Sequence, residues 1–177
     1  MKVVIWIAEG TWPATIDGAL TVLTSESEVV LLHVVPGDVE EVVHGAFAGL
    51  LGRRRSAPVS IDRSATTTAA ELLGLAEQRL GRPATHESRR GRVEREVVAA
   101  CADAELLVVS RDGDRSRLGP HSLGPTARFV VDHAPCAVLL VWPESAPGLG
   151  SIPPPPAHPP AAPHRPPPAD PTGTTAP

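Results

Sequence analysis

The residues best suited to chemistry lie in one glycine-rich stretch, Val109-Ser-Arg-Asp-Gly-Asp-Arg-Ser-Arg-Leu-Gly-Pro-His-Ser-Leu-Gly-Pro-Thr126. Small residues at Ser110, Gly113, Gly119 and Gly124 let a backbone approach a ligand closely. Arg111, Arg115, Arg117 and Arg128 set against Asp112 and Asp114 give this neighbourhood a charge of +2, in a chain whose formal net charge is −4. An apolar run precedes the stretch and a helical spacing follows it. A helix starting near Gly124 would aim free amides and its positive dipole end at an anion. The chemistry this predicts is phosphate binding.

Other reactive side chains read differently. Gly119-Pro-His-Ser-Leu-Gly124 resembles a hydrolase elbow only loosely, because the spacing is Gly-x-x-Ser-x-Gly and Ser122 lies thirteen residues beyond Val109. His33 sits within an apolar run and reads as a hydrogen-bonded core histidine. His44, His86 and His121 have no neighbour at metal-ligand spacing, and His158 and His164 stand isolated near the end of the chain. Cys101 and Cys136 show no CxxC spacing and read as small buried hydrophobes. The charged run Arg89-Arg-Gly-Arg-Val-Glu-Arg-Glu96 reads as a helix start with a solvated face, with Gly91 a secondary ligand candidate. Arg53, Arg54 and Arg55 read as a solvated run in a surface loop over 52–67.

Positioning these groups requires a framework, and the apolar residues predict one. Runs at 3–8, 29–35, 106–109 and 137–142 are short, rich in β-branched residues and nearly continuous, as in parallel strands buried on both faces. A weaker fifth strand fits at 84–88. Helical spacing joins Ile16, Ala19, Leu20 and Leu23, behind Thr11 as a cap and Pro13 in the first turn. The same spacing recurs over 39–50, after Thr68 and Glu71 read as a capping box, over 93–101, and over 127–131. Alternating strands and helices predict βαβ units and a doubly wound α/β sheet. Ligands of such sheets bind beyond the carboxyl ends of the strands, where the strand order reverses.

Composition bounds the function. Fourteen of the 21 prolines fall from Pro143 onward, which predicts one domain over 1–142 and a Pro-rich disordered tail over 143–177. The tail prefers polyproline II and reads as a spacer, with docking to a protein partner as the alternative. No apolar run nears the roughly 18 to 20 residues that cross a bilayer, and two cysteines form no disulfide framework, so a cytoplasmic location is expected. Mild acidity and five aromatics argue against nucleic acid as a partner.

Taken together, Ile7-Ala-Glu-Gly-Thr11, Leu31-Leu-His-Val-Val35 and the segment Leu106–Trp142, ending in His133-Ala-Pro-Cys136 and Val138-Leu-Leu-Val141, resemble the universal stress protein family. The resemblance covers residues 2 to 142 and implies a five-stranded parallel sheet of order 3-2-1-4-5 with helices on both faces. It also implies a stress-response sensor or regulator that binds an adenine nucleotide, ATP accompanied by Mg. Ala8 and Glu9 would contact the adenine side, Glu9 standing where the family usually has Asp, and Val34 would line the base pocket. Ribose and phosphates would fall to Val109, Ser110, Arg111, Gly113, Gly124, Pro125 and Thr126. Ser110 stands in place of the family's first glycine, Pro125 in place of its Ser or Thr, and ten residues separate Gly113 from Gly124 where the family has nine. The resemblance further implies a homodimer paired through strand 136–142. Two alternatives accompany this reading, a dimeric interaction module without nucleotide and a weak nucleotide hydrolase.

Overall fold

The structure, a computed structural model, describes residues 1–37 and 59–154, without the side chains of 59–67. The expected helix over 39–50, the Arg53–Arg55 run and the chain beyond 154 lie outside the described residues. In chain order the elements are β1 (Lys2–Trp6), α1 (Trp12–Leu20), β2 (Glu28–Pro36), α2 (Val59–Leu80) and β3 (Thr85–Gly91). They are followed by α3 (Val93–Ala100), β4 (Leu106–Ser110), α4 (Pro125–His133) and β5 (Ala137–Val141). One-turn 3-10 helices cover Pro120–Ser122 and Leu149–Ser151.

All five strands pair in parallel in the order β3-β2-β1-β4-β5. Val4 sits opposite Val30 on one side and Leu107 on the other, so β1 is central. Side chains alternate across the sheet. Val3, Ile5 and Ile7 face a layer with Ile16 and Ala19 of α1 and Leu73, Ala76 and Leu80 of α2. Val4 and Trp6 face the opposite layer, with Val97 and Ala100 of α3 and Ala127 and Val130 of α4. Each such buried Val, Leu or Ile stabilises the fold by about 1.5–3 kcal/mol relative to an exposed one. Strands covered on both faces need continuous apolar sequence, which is why β1, β2 and β4 are readable as runs.

Local chemistry departs from expectation in three places. Thr11 occupies the position before α1, but its hydroxyl donates to Ala8 O at 3.5 Å and caps nothing; Pro13 does fall in the first turn. Residues 59–67, expected in a loop, are helical, so Thr68 and Glu71 lie inside α2 and do not begin it. β3 runs to Gly91, beyond the expected 84–88, because its outer position tolerates a mostly polar sequence. Arg79 of α2 reaches Asp17 of α1 through a forked pair at 2.7 and 2.6 Å. After β5 the chain returns along the glycine-rich loop, where Leu118 N–H donates to Ser151 Oγ at 3.0 Å and Arg115 pairs with Glu144 at 3.1 Å.

Candidate functional site

The strand order reverses between β1 and β4, and two adjoining hollows open there at the carboxyl end of the sheet. The larger, about 460 Å³, lies toward β2 and is lined by residues that include Ala8, Glu9, His33, Val34 and Val35. The smaller, about 220 Å³, lies toward β4 and is lined by residues that include Thr11, Val109, Ser110, Asp112 and Thr126. Trp6, Ala8 and Val93 line both and so form their common wall.

Local sequence explains how these groups arrive. Ile7 extends the β1 pairing through its N–H to Leu32 O at 2.7 Å, and the turn closes with Thr11 and Trp12 N–H on Ala8 O at 3.2 and 3.0 Å. Gly10 takes a φ of +78° in that turn, a left-handed conformation that glycine adopts without a Cβ penalty. His33 Nδ1 bonds Ile7 O at 2.9 Å, which makes Nδ1 the protonated nitrogen and Nε2 an acceptor in the neutral ring. Ser110 is buried, and its hydroxyl meets that of Thr15 at 2.7 Å. Because the Thr15 hydroxyl donates its hydrogen to Thr11 O at 3.1 Å, Ser110 is the donor in that pair and retains acceptor capacity.

The glycine-rich loop folds on itself. Gly113 N–H donates to Ser122 O at 3.0 Å and Asp114 N–H to His121 O at 2.8 Å. A Cβ at Gly113 would lie 2.3 Å from His121 O, so this glycine permits contact between two strands of the loop, not contact with either hollow. Asp112 Oδ1 accepts the Gly124 N–H at 2.7 Å, immediately ahead of α4. Pro125, the next residue, has no N–H to offer.

Each loop arginine has a partner, although the Nε of Arg111 is buried without one. Arg111 stacks 4.6 Å over Trp142, an interaction of about 0.5–2 kcal/mol, and donates to Ser122 Oγ. Burial pulls its guanidinium below the usual value. Arg115 pairs with Glu144, Arg117 with Asp114 at 3.2 Å, and Arg128 donates to Pro120 O. Hydrogen bonds from the Ser116 hydroxyl and amide, with Arg117 nearby, hold Asp114 below the usual carboxylate range. Ser122 is fully buried and donates to Gly119 O at 2.7 Å, so its hydroxyl is tied into the loop.

Of the residues singled out from sequence, Ala8, Glu9, Val34, Val109, Ser110 and Thr126 line the hollows, while Arg111, Gly113, Gly124 and Pro125 do not. Trp6 and Val93 line them without having been anticipated, and Thr11 and Asp112 join them from loops expected at the ligand-binding end but not singled out as contacts. Trp6 alternates to the α3 face at the end of a strand that reads simply as core, whereas Asp112 was countable only as a charge. Gly91, at φ +153°, turns β3 into α3 with the Glu96 carboxylate packed against it. Among the described residues no group of three His, Cys, Asp or Glu side chains could hold a metal ion.

Comparison with known proteins places this architecture. No curated protein matches the sequence. The fold is similar to that of the hypothetical protein MJ0577, with a TM-score of 0.62 and 16% identity over 82% of this chain and 97% of that one. It is similar to the universal stress protein UspA from Lactobacillus plantarum (TM-score 0.53, 16% identity, 80% of this chain and 97% of that one). It is also similar to a universal stress protein solved in complex with cAMP (TM-score 0.52, 15% identity, 81% and 98%). The family description "Universal stress protein family" matches residues 16–141. This match covers most of the sequence, and the chain belongs to the universal stress protein family.

Proposed function

We propose that the chain is a binding module for an adenine nucleotide and acts as a sensor or regulator in the stress response. The observation that carries this is the pair of joined hollows at the β1/β4 reversal, with Ala8 on their common wall. The larger falls within the range of roughly 300–1,000 Å³ typical of small-molecule sites. It combines apolar walls from Val34, Val35 and Val93 with the Glu9 carboxylate and the His33 ring. Those acceptors suit the exocyclic amine of adenine. A related fold holds cAMP, which supports a nucleotide as the ligand class. The ligand the family resemblance points to is ATP, and base and ribose fit this site better than a triphosphate does.

Supporting a sensor over an enzyme, Ser122 is tied to Gly119 O and Arg111. The assembly we propose is a homodimer paired through β5, whose outer position leaves Ala137 exposed and Val138 to Val141 half-buried. Free thiols at Cys101 and Cys136 fit a cytoplasmic setting, and among the described residues no helix is long and apolar enough to cross a membrane. In this reading the domain, expected to end at Trp142, carries residues 143–152 back along its glycine-rich loop, and the Pro-rich segment beyond is a spacer or partner-docking appendage.

Calorimetric titration with adenine and guanine ligands, on the wild type and on Ala8→Leu, tests the proposal. Saturable adenine binding at one site per chain, weakened at least tenfold by Ala8→Leu, is expected. Binding indifferent to that substitution would contradict it.

A further inference from the structure

Most polar groups around the smaller hollow are poorly matched to a polyphosphate, Thr126 in the first turn of α4 being the lining residue that still offers a donor. At the start of α4, the Gly124 N–H that could meet a phosphate oxygen is taken by Asp112 Oδ1 at 2.7 Å, and Pro125 lacks the next one. A carboxylate therefore already occupies the anion position, and a second anion there would meet like charge. The buried Ser110 hydroxyl, which lines the hollow, spends its hydrogen on Thr15 and keeps only acceptor capacity. The amides of Gly113 and Asp114 go to Ser122 O and His121 O.

The cations are elsewhere. Arg111 lies against Trp142, and Arg115, Arg117 and Arg128 bond Glu144, Asp114 and Pro120 O. Among the described residues neither a lysine nor an arginine lines either hollow, whereas Glu9 and Asp112 do. Apart from Thr126, the site thus presents mainly acceptors and negative charge, which favours a ligand that brings donors and little charge of its own.

We infer that Asp112 acts as an internal stand-in for phosphate and sets the ligand's charge, so that the site takes the nucleoside adenosine in preference to ATP. This inference rests on the adenine reading above. The ribose hydroxyls donate to the Asp112 carboxylate, which keeps lone pairs beyond the one used by Gly124. Asp112 is in this sense a specificity residue, recognising sugar and excluding polyphosphate.

The test is calorimetry on the full chain with adenosine and with ATP, each with and without Mg²⁺, for the wild type, Asp112→Asn and Asp112→Ser. Asparagine keeps an acceptor for the Gly124 N–H while removing the charge, and serine is a smaller neutral alternative. Expected are at least tenfold tighter binding of adenosine than of ATP by the wild type, and a gap narrowed at least fivefold in either variant. Wild-type binding of ATP as tight as adenosine would overturn the inference and leave the adenine reading standing. A preference unchanged in both variants would remove Asp112 from the account. Binding of neither ligand by the wild type would overturn both readings.

Discussion

Thr15 on α1 and Ser110 at the end of β4 are joined by a buried hydrogen bond of 2.7 Å between their hydroxyls. The bond fixes the first helix against the strand that feeds the glycine-rich loop. It also gives the serine at this position a physical role, since the hydroxyl locks the loop's point of departure. Replacing Ser110 with Ala removes the donor and leaves a buried threonine oxygen one partner short. A loss of about 0.5–1.5 kcal/mol is expected, read as a lowered midpoint in denaturant with an unchanged slope.

Gly113→Ala tests whether the loop closes on itself. Its new methyl would sit 2.3 Å from His121 O and 2.8 Å from the Ser122 carbonyl carbon, backbone atoms that cannot rotate away. Overpacking of this kind costs about 1–3 kcal/mol. At roughly 2–4 °C per kcal/mol for a domain of this size, the melting temperature should fall by several degrees.

β5 is an outer strand, and half of its backbone donors and acceptors have no neighbour within the sheet. Light scattering should give twice the chain mass for the wild type, as two-fold pairing of the same strand would produce. Lysine at the exposed Ala137 should shift the population toward monomer without altering the circular dichroism spectrum. A wild type at chain mass would end the dimer proposal.

Cys101 offers a pH test. Burial, with Cys136 adding to it, pushes its thiol up to about 12 from 9.0. A group raised in the folded state contributes stability that is complete below pH 9 and lost as pH rises toward 12. The stability gap between the wild type and Cys101→Ala should therefore narrow as pH climbs from 8 to 11. In the native protein at pH 8 a thiol-specific reagent should leave Cys101 unmodified until the chain unfolds.

Much of the fold was legible because parallel strands covered on both faces must be nearly continuously apolar, as Val3 to Ile7 and, but for His33, Val29 to Val35 are. β3 was faint for the converse reason: Thr85 to Gly91 lies at the sheet's outer side and carries mostly polar residues. The start of α2 was misread because Ser, Thr and Arg residues there give no apolar stripe, and Thr68 with Glu71 mimics a cap from inside the helix. At the site, Glu9 follows from its place after β1 and Val34 from its place near the carboxyl end of β2. The contact of Asp112 with Gly124 does not, since it depends on a loop closure that brings together residues twelve apart. Likewise, counting four arginines against two aspartates predicts an anion site only if those arginines face it, and their partners lie elsewhere.

The most direct test of the central claim is amide chemical-shift mapping on the nitrogen-labelled full chain during titration with adenosine. The account predicts saturable shifts concentrated at Ala8, Val34, Val109 and Thr126, around the two joined hollows. Saturable shifts gathered instead along β5 and residues 149–152, or none at millimolar adenosine, would contradict it.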